Sequence, residues 1–567
     1  MKKYQKWLVT TILAFLTLCI TAVTCPMVFY MNDDVTIRNI LSGAYSGMPD
    51  GHAVYMKYPL TGMISLLYRL AGGIPWFSLF MTGCFLLAAV MVLGHLVCEF
   101  KTNNKLIKIG IIVGTALMCV ALFLSHMIYL HYTIVAAMLG GCGLMLTTLG
   151  DRHKAILLFV ICYCVRSQVF FLLIPFLAVS LLWQLDKNKW RELLQMLAVL
   201  AGCIILCMIW NGLMYRSDDW QEYQVYNAGR TALYDYGDLL DYEEYTAQYE
   251  ARGIGKPEYT ILDQYALALD SSVDAEILQA AAEFYEERLM SDRSTVDYLR
   301  FCLSEYYYHA VYTDKPYQYL LIAAYFLAAV GLVWQKRWRK LGLLCCMAVG
   351  RSLIWIYLIW QGRFPERIYI SLYLLEIPIL VAMCSAVLAD ANKSEGNKVI
   401  DCIIAACCLA LFGAGVYQIS AAAERAAGQQ EALKKWYTLT GYCAAHDDNI
   451  YLLDVKSMVS YAGRVWEPTA NVQSNYLLAG GWMSGTPLMK ERFRACDADD
   501  GGDLLADRGK ASGEILYISS PEHSAEWLTD YLSLRFEEKE VELRDCILLN
   551  DQVIFYVYGV TTGLDSR

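Results

Sequence analysis

The sequence predicts a mainly α-helical, polytopic membrane protein of about eleven transmembrane helices. A large extracytoplasmic loop and a small C-terminal α/β domain complete it. Three observations carry this. Of 567 residues, 57% are hydrophobic and 18% charged, where a soluble chain carries roughly 25% charge. Apolar runs of about 18–25 residues recur over the first 420 positions, each long enough to cross a hydrocarbon core about 30 Å thick. The connectors KKYQK, KTNNKLIK, GDRHK, DKNKWRE, QKRWRK and ANKSEGNK are mostly basic and alternate with polar or acidic ones, as the positive-inside rule requires. These features exclude a soluble enzyme and a disordered chain. The net charge of -10 also argues against a nucleic-acid partner.

The basic start, MKKYQKW, precedes an apolar run from Leu8 to about Tyr30. A cleaved signal has an apolar region of only about 7–15 residues, so this run reads as an uncleaved first span. Further spans are expected near 75–99, 107–125, 132–149, 155–166, 168–185, 193–214, 317–334, 341–360, 367–389 and 398–420. The basic connectors then put the N-terminus in the cytoplasm and the C-terminus outside. The expected division is a transmembrane domain over 1–420, with a first outer loop at 31–74 and a large one at 215–316, and an extracytoplasmic domain over 421–567.

The large loop carries 8 Lys/Arg, 21 Asp/Glu and 16 Tyr. Its stretch SSVDAEILQAAAEFYEERLM reads as a helix capped by Ser271 or Ser272. In the C-terminal region, AAAERAAGQQEALKKWYTL reads as a helical linker. EILYISS and VIFYVYGV read as strands, and AEWLTDYLSLRF as a helix. His446, Asp447 and Asp448 read as a turn. Most of the 20 cysteines lie in apolar runs, where Cys acts as a small hydrophobe. No CxxC set suggests zinc. His126 and His131, five residues apart without a third ligand, do not make a metal site either.

Candidate chemistry starts at the first outer loop. Asp33 and Asp34 follow the first span directly, and Ile37, Ile40, Leu41, Ala44 and Tyr45 then recur at helical spacing. That marks an amphipathic helix along the membrane surface, and YPLTGMISLLYRLAGG is a second. By themselves, two acidic residues at a helix start also fit a capping role. Arg166, Arg363 and Arg367 sit at outer span ends, where a planar guanidinium suits a phosphate or snorkels to lipid headgroups. His52, Tyr55, Lys57 and Tyr58 share the first loop and are candidates for acceptor binding, against the alternative of a solvated loop.

The layout of MNDD after the first span, two surface helices within 35–72 and a C-terminal outer region resembles the GT-C superfamily of membrane glycosyltransferases. GRFPERIYISLYLLE is similar to a late outer-loop segment of its bacterial members. The resemblance implies an inverting transferase that uses a polyprenyl-phosphate sugar at the outer face of a plasma membrane. Asp33 or Asp34 would act as base, and Arg363, Arg367 or Arg166 would hold the donor phosphate. Its partners would be membrane lipid and a cell-wall glycan, teichoic-acid-like polymer or glycolipid acceptor. Some members use a divalent metal; the cofactor here stays open. The other readings are a transporter, disfavoured because no internal repeat is visible, and a non-catalytic envelope protein on the same scaffold.

A last expectation concerns Arg351 and Glu376. Each lies about 12 residues from the turn at Arg363–Phe364, so antiparallel helices bring them to equal depth. Charges within a membrane pair or sit in water, and these two are expected to pair.

Overall fold

The computed structural model describes residues 3–99, 105–185, 189–292, 294–391, 398–458, 461, 463–467, 473–506, 513–536 and 539–562. Each apolar run read as a span contains helix: Lys3–Thr24, Trp76–Glu99, Lys105–Ile128, Tyr132–Leu149, Arg152–Val165, Ile174–Gln184, Trp190–Met214, Tyr317–Trp334, Trp338–Trp360, Glu366–Ala391 and Lys398–Ala445. Among the described residues, seven helices are long and apolar enough to cross a membrane. The two helices expected within 35–72 are Asn32–Ser42 and Tyr58–Leu70.

Local chemistry accounts for where these elements depart from the sequence reading. The first helix stops at Thr24, not near Tyr30. Pro26 lacks an N–H and disfavours helical geometry in the residue before it. The chain then extends as β1 (Val28–Phe29), which pairs in parallel with β2 (Tyr129–Leu130). The 152–184 stretch breaks at Arg166, whose backbone is extended (φ -153°, ψ 99°), and continues through a short helix, Ser167–Leu172. The helix Ala275–Asp292 is capped by Asp274, not by Ser271 or Ser272. Its Oδ1 accepts the N–H groups of Glu276 and Ile277 at 2.9 and 3.0 Å, while the Ser272 hydroxyl donates to Asp270.

The helix Tyr132–Leu149 lies at the centre, buried along nearly its whole length. A Cβ at Gly141 would sit 2.4 Å from the Leu374 carbonyl oxygen, so glycine lets this helix meet Glu366–Ala391 backbone to backbone. Across the neighbouring hairpin, Arg351 Nε lies 3.0 Å from Glu376 Oε2, as equal spacing from the turn predicts. Tyr325 donates to Glu376, and Arg351 donates to the Tyr306 hydroxyl at 3.1 Å.

The helix Lys398–Ala445 runs unbroken for 48 residues. At about 1.5 Å per residue it is about 72 Å long, so its far half projects beyond a hydrocarbon core. It leads into strands β3 (Ile450–Leu453), β4 (Tyr476–Leu478), β5 (Ile515–Ser519), β6 (Lys539–Leu549) and β7 (Gln552–Thr562), in the order β4-β3-β5-β7-β6. The first three strands in that order are parallel, and the last two form an antiparallel hairpin against β5.

This sheet region is seated on the two loops 31–74 and 215–316. Arg38 on the first loop pairs with Glu467 at 3.1 Å, and the Val465 N–H donates to the Met27 carbonyl. On the large loop, the Ala268 N–H donates to Ala479 and its carbonyl accepts from Gly501. One apolar core runs from Phe85, Leu139 and Leu375 among the helices to Leu452, Tyr517 and Leu528 around the sheet.

Candidate active site

A cavity of about 830 Å³ lies where helix ends, the loops 31–74 and 215–316 and the sheet region meet. Asp33 lines it from the first turn of Asn32–Ser42. Its Oδ1 accepts the Trp482 indole N–H at 2.9 Å. Burial pushes the Asp33 carboxyl above the ordinary range, and the charges of Arg367 and Arg166, the Trp482 bond and Arg230 only partly offset it.

Asp34 faces the other way. It is fully buried, and its Oδ1 accepts the Tyr132 N–H at 3.0 Å, tying the surface helix to the start of the central one. Its Oδ2 lies 3.8 Å from His131 Nδ1, which itself accepts from Thr133. Burial holds the Asp34 carboxyl well above its usual range and the His131 imidazole well below its own. Asp33 thus lines the cavity, whereas Asp34 is a helix-to-helix strut.

Of the arginines expected at a phosphate, all three line the cavity. Arg166 sits in the break between two helices, with its guanidinium 5.1 and 5.3 Å from the Tyr55 and Tyr132 rings. Its Nη1 is buried without a hydrogen-bond partner. Arg367 donates to the Met31 sulfur. Neither has a carboxylate within ion-pair distance among the described residues. Arg363 differs: its Nη1 is 2.5 Å from Asp235 Oδ2, and it lies over Tyr236.

The four acceptor candidates separate. Tyr55 and Lys57 line the cavity. Burial, then the Arg166 charge, lowers the Lys57 ammonium. His52 and Tyr58 do not line it. His52 stacks on Trp220 at 4.9 Å, bonds Asp50 at 2.6 Å and meets the Met214 carbonyl through Nε2. Tyr58 packs against the same imidazole. These two residues pack within the loop, away from the cavity that Tyr55 and Lys57 line.

Arg230, Asp235, Tyr265 and Trp482 also belong to the site and went unread in the sequence. Arg230 is buried, donates to Tyr265 at 2.9 Å and lies 3.6 Å from Asp235. Trp482 follows Gly480 and Gly481. A Cβ at Gly480 would lie 1.9 Å from the Tyr265 carbonyl oxygen, and Gly481 has φ +86°. Only glycines let that turn press the indole toward Asp33, so the motif AGGW was the available signal.

Lys57, Arg166, Arg230, Arg363 and Arg367 face two carboxylates, Asp33 and Asp235, across this cavity. It is cationic in a chain whose net charge is -10. On one side Val169, Phe171, Leu172 and Leu358 continue the lining, and Phe171 is 54% exposed on the outer surface of the helical body. The arrangement can hold an anion at the cations, an apolar chain at the rim and a proton acceptor at Asp33. It does not form a divalent-metal cradle. Both carboxylates already take donors, and no three metal-ligating side chains converge among the described residues.

No protein-family model and no curated protein matches the chain. Among solved structures, it is similar to ArnT from Cupriavidus metallidurans, crystallised with undecaprenyl phosphate. The likeness covers 97% of each chain at 10% identity and a TM-score of 0.36, a distance at which it assigns no residue a role.

Proposed function

We propose that the protein is an inverting membrane glycosyltransferase that moves a sugar from a polyprenyl-phosphate donor to an acceptor hydroxyl at the outer membrane surface. The observation that carries this is a carboxylate raised by burial in a cavity where cations outnumber anions and one wall is apolar. The polyprenyl chain leaves through the apolar side, past Phe171 and Leu358. The phosphate lies at Arg166 and Arg367, which have no carboxylate within ion-pair distance among the described residues. Charge-assisted hydrogen bonds from a guanidinium fork suit that group.

In the transfer step, the acceptor O–H gives its proton to Asp33 while its oxygen attacks the anomeric carbon. The bond from that carbon to the phosphate oxygen breaks, and polyprenyl phosphate leaves with the electron pair, its charge met by the arginines. A base works best with a pKa near the working pH, and burial moves Asp33 in that direction. The N-terminus is cytoplasmic in this reading, with 1–420 the catalytic membrane domain and 421–567 an outer domain that supplies Trp482.

The test is transfer in proteoliposomes from a panel of polyprenyl-phosphate sugars. Wild type transfers at least one of them and Asp33→Asn does not. Equal rates in the two proteins overturn the mechanism.

A further inference from the structure

A second chamber of about 1200 Å³ adjoins the first. Its walls come from 225–238 of the large loop, the helices Ala275–Asp292 and Thr295–Tyr308, and the turn at 359–364. Asp235, Tyr236 and Gln361 line both chambers. The Asp235–Arg363 ion pair, with Arg363 5.3 Å over the Tyr236 ring, forms the partition.

The chemistry reverses across that partition. Five carboxylates line the second chamber: Asp235, Asp238, Glu283, Glu286 and Glu305. No lysine or arginine does among the described residues. Aromatic faces fill much of the rest. Tyr298 and Phe301 stack at 6.0 Å with rings 9° apart, and Tyr298 meets Trp360 at 4.9 Å while donating to its carbonyl.

Ionised carboxylates only accept hydrogen bonds, so they match groups rich in O–H or N–H donors. Aromatic faces match the flat C–H faces of sugar rings, an apolar body with a polar edge. A phosphodiester polymer would meet four carboxylates besides the arginine-paired Asp235, with no lysine or arginine among the described lining residues to offset them. The volume exceeds the roughly 300–1,000 Å³ of an ordinary small-molecule site, leaving room for more than one sugar ring.

We infer that this chamber holds the acceptor, and that the acceptor is a neutral or amino-bearing saccharide, not a phosphate-containing polymer. This rests on the transfer reading above. It places the acceptor beyond the partition, so that a terminal hydroxyl reaches Asp33 past Tyr236 and Gln361, while Tyr55 and Lys57 serve the donor side.

The experiment is calorimetric binding to the full-length protein in lipid nanodiscs, without donor. The probes are N-acetylglucosamine tetrasaccharide, glucosamine tetrasaccharide and a glycerol phosphate tetramer. At least one saccharide binds, and the glycerol phosphate tetramer does not. Trp360→Ala weakens saccharide binding about tenfold or more, as does the double variant Glu283→Gln with Glu286→Gln. Both glutamates are exposed, so the double variant keeps the fold. Calorimetry without donor reads binding alone, with no transfer step, which separates this result from any failure of the transfer mechanism. Binding of the glycerol phosphate tetramer, absence of saccharide binding, or saccharide binding indifferent to the glutamate variant each overturns the inference.

Discussion

Two groups of charges lie within the helical body, and they are settled differently. Between Trp338–Trp360 and Glu366–Ala391, Arg351 meets Glu376 at 3.0 Å, with Tyr325 and Tyr306 taking further bonds and Trp355 4.6 Å from the guanidinium. Around Asp33, five cations face two carboxylates, and Arg166 keeps a buried N–H without a partner. Burying a charge without a partner is costly. The balanced group is therefore part of the fold. The unbalanced one stores a cost that an arriving anion relieves, which is how a site differs from a strut. Asp33 and Asp34 repeat the contrast at adjacent positions.

The largest expected effect separates those two aspartates. Asp33→Asn should lower transfer about 10²–10⁴-fold, the usual loss on removing a general base. Asp34→Asn retains an oxygen for the Tyr132 N–H and should leave most of the rate. Initial rates in proteoliposomes decide this, and an Asp34 loss as deep as that of Asp33 breaks the contrast.

Next comes the ion pair. Arg351→Met or Glu376→Leu alone strands a buried charge and should cost about 3–5 kcal/mol. The double variant should recover most of that, because a well-packed apolar pair often replaces a buried ion pair at little cost. Thermal unfolding in detergent measures it. Additive losses in the double variant would show that the two residues do not act as a pair.

A smaller effect sharpens the comparison on the cationic side. Arg166→Gln removes a charge that has no carboxylate within ion-pair distance among the described residues. Donor KM should rise by about one to two orders of magnitude, the range for losing charged hydrogen bonds at about 1.5–3 kcal/mol, while Tm without donor holds or rises. Arg363→Gln leaves Asp235 only the longer contact with Arg230 and should lower Tm instead. If Arg166→Gln lowers Tm and leaves KM unchanged, Arg166 is structural.

Much of this was legible in the chain. Long apolar runs mark the helices because a bilayer demands them. The Arg351–Glu376 contact follows from equal spacing about one turn. The choice between Asp33 and Asp34 stayed open in the sequence. Adjacent helical residues point about 100° apart. Asp34 shares a stripe with Ile37, Arg38 and Leu41, and Asp33 one with Ile37 and Ile40, all buried; only Thr36, half-buried and lining the cavity, distinguishes the Asp33 side. Arg230, Asp235 and Trp482 were hidden for another reason. They reach Asp33 across roughly 200 and 450 positions of sequence, and no local pattern encodes how the outer loops and the sheet region close over the membrane helices. Only the glycine pair before Trp482 hinted that the backbone there comes unusually close to something.

The smallest expected effect tests that closure through acidity. The Trp482 N–H donates to Asp33 and favours its ionised form, opposing the upward push of burial. Asp33 must be ionised to accept a proton, so transfer is lost as pH falls through its pKa. That pKa lies above the ordinary carboxylate value of about 3.9, so the acid limb of the rate profile should fall at a higher pH than an exposed aspartate would give. Trp482→Phe keeps the ring against Tyr55 but removes the donor. The limb should then move further up, by up to about one pH unit, since one unit corresponds to about 1.4 kcal/mol, the lower end of a charged hydrogen bond. On the alkaline plateau of each profile, where Asp33 is ionised in both, the two proteins should transfer at similar rates. A limb that stays in place, or moves down, would mean that the indole holds the loop without touching the chemistry.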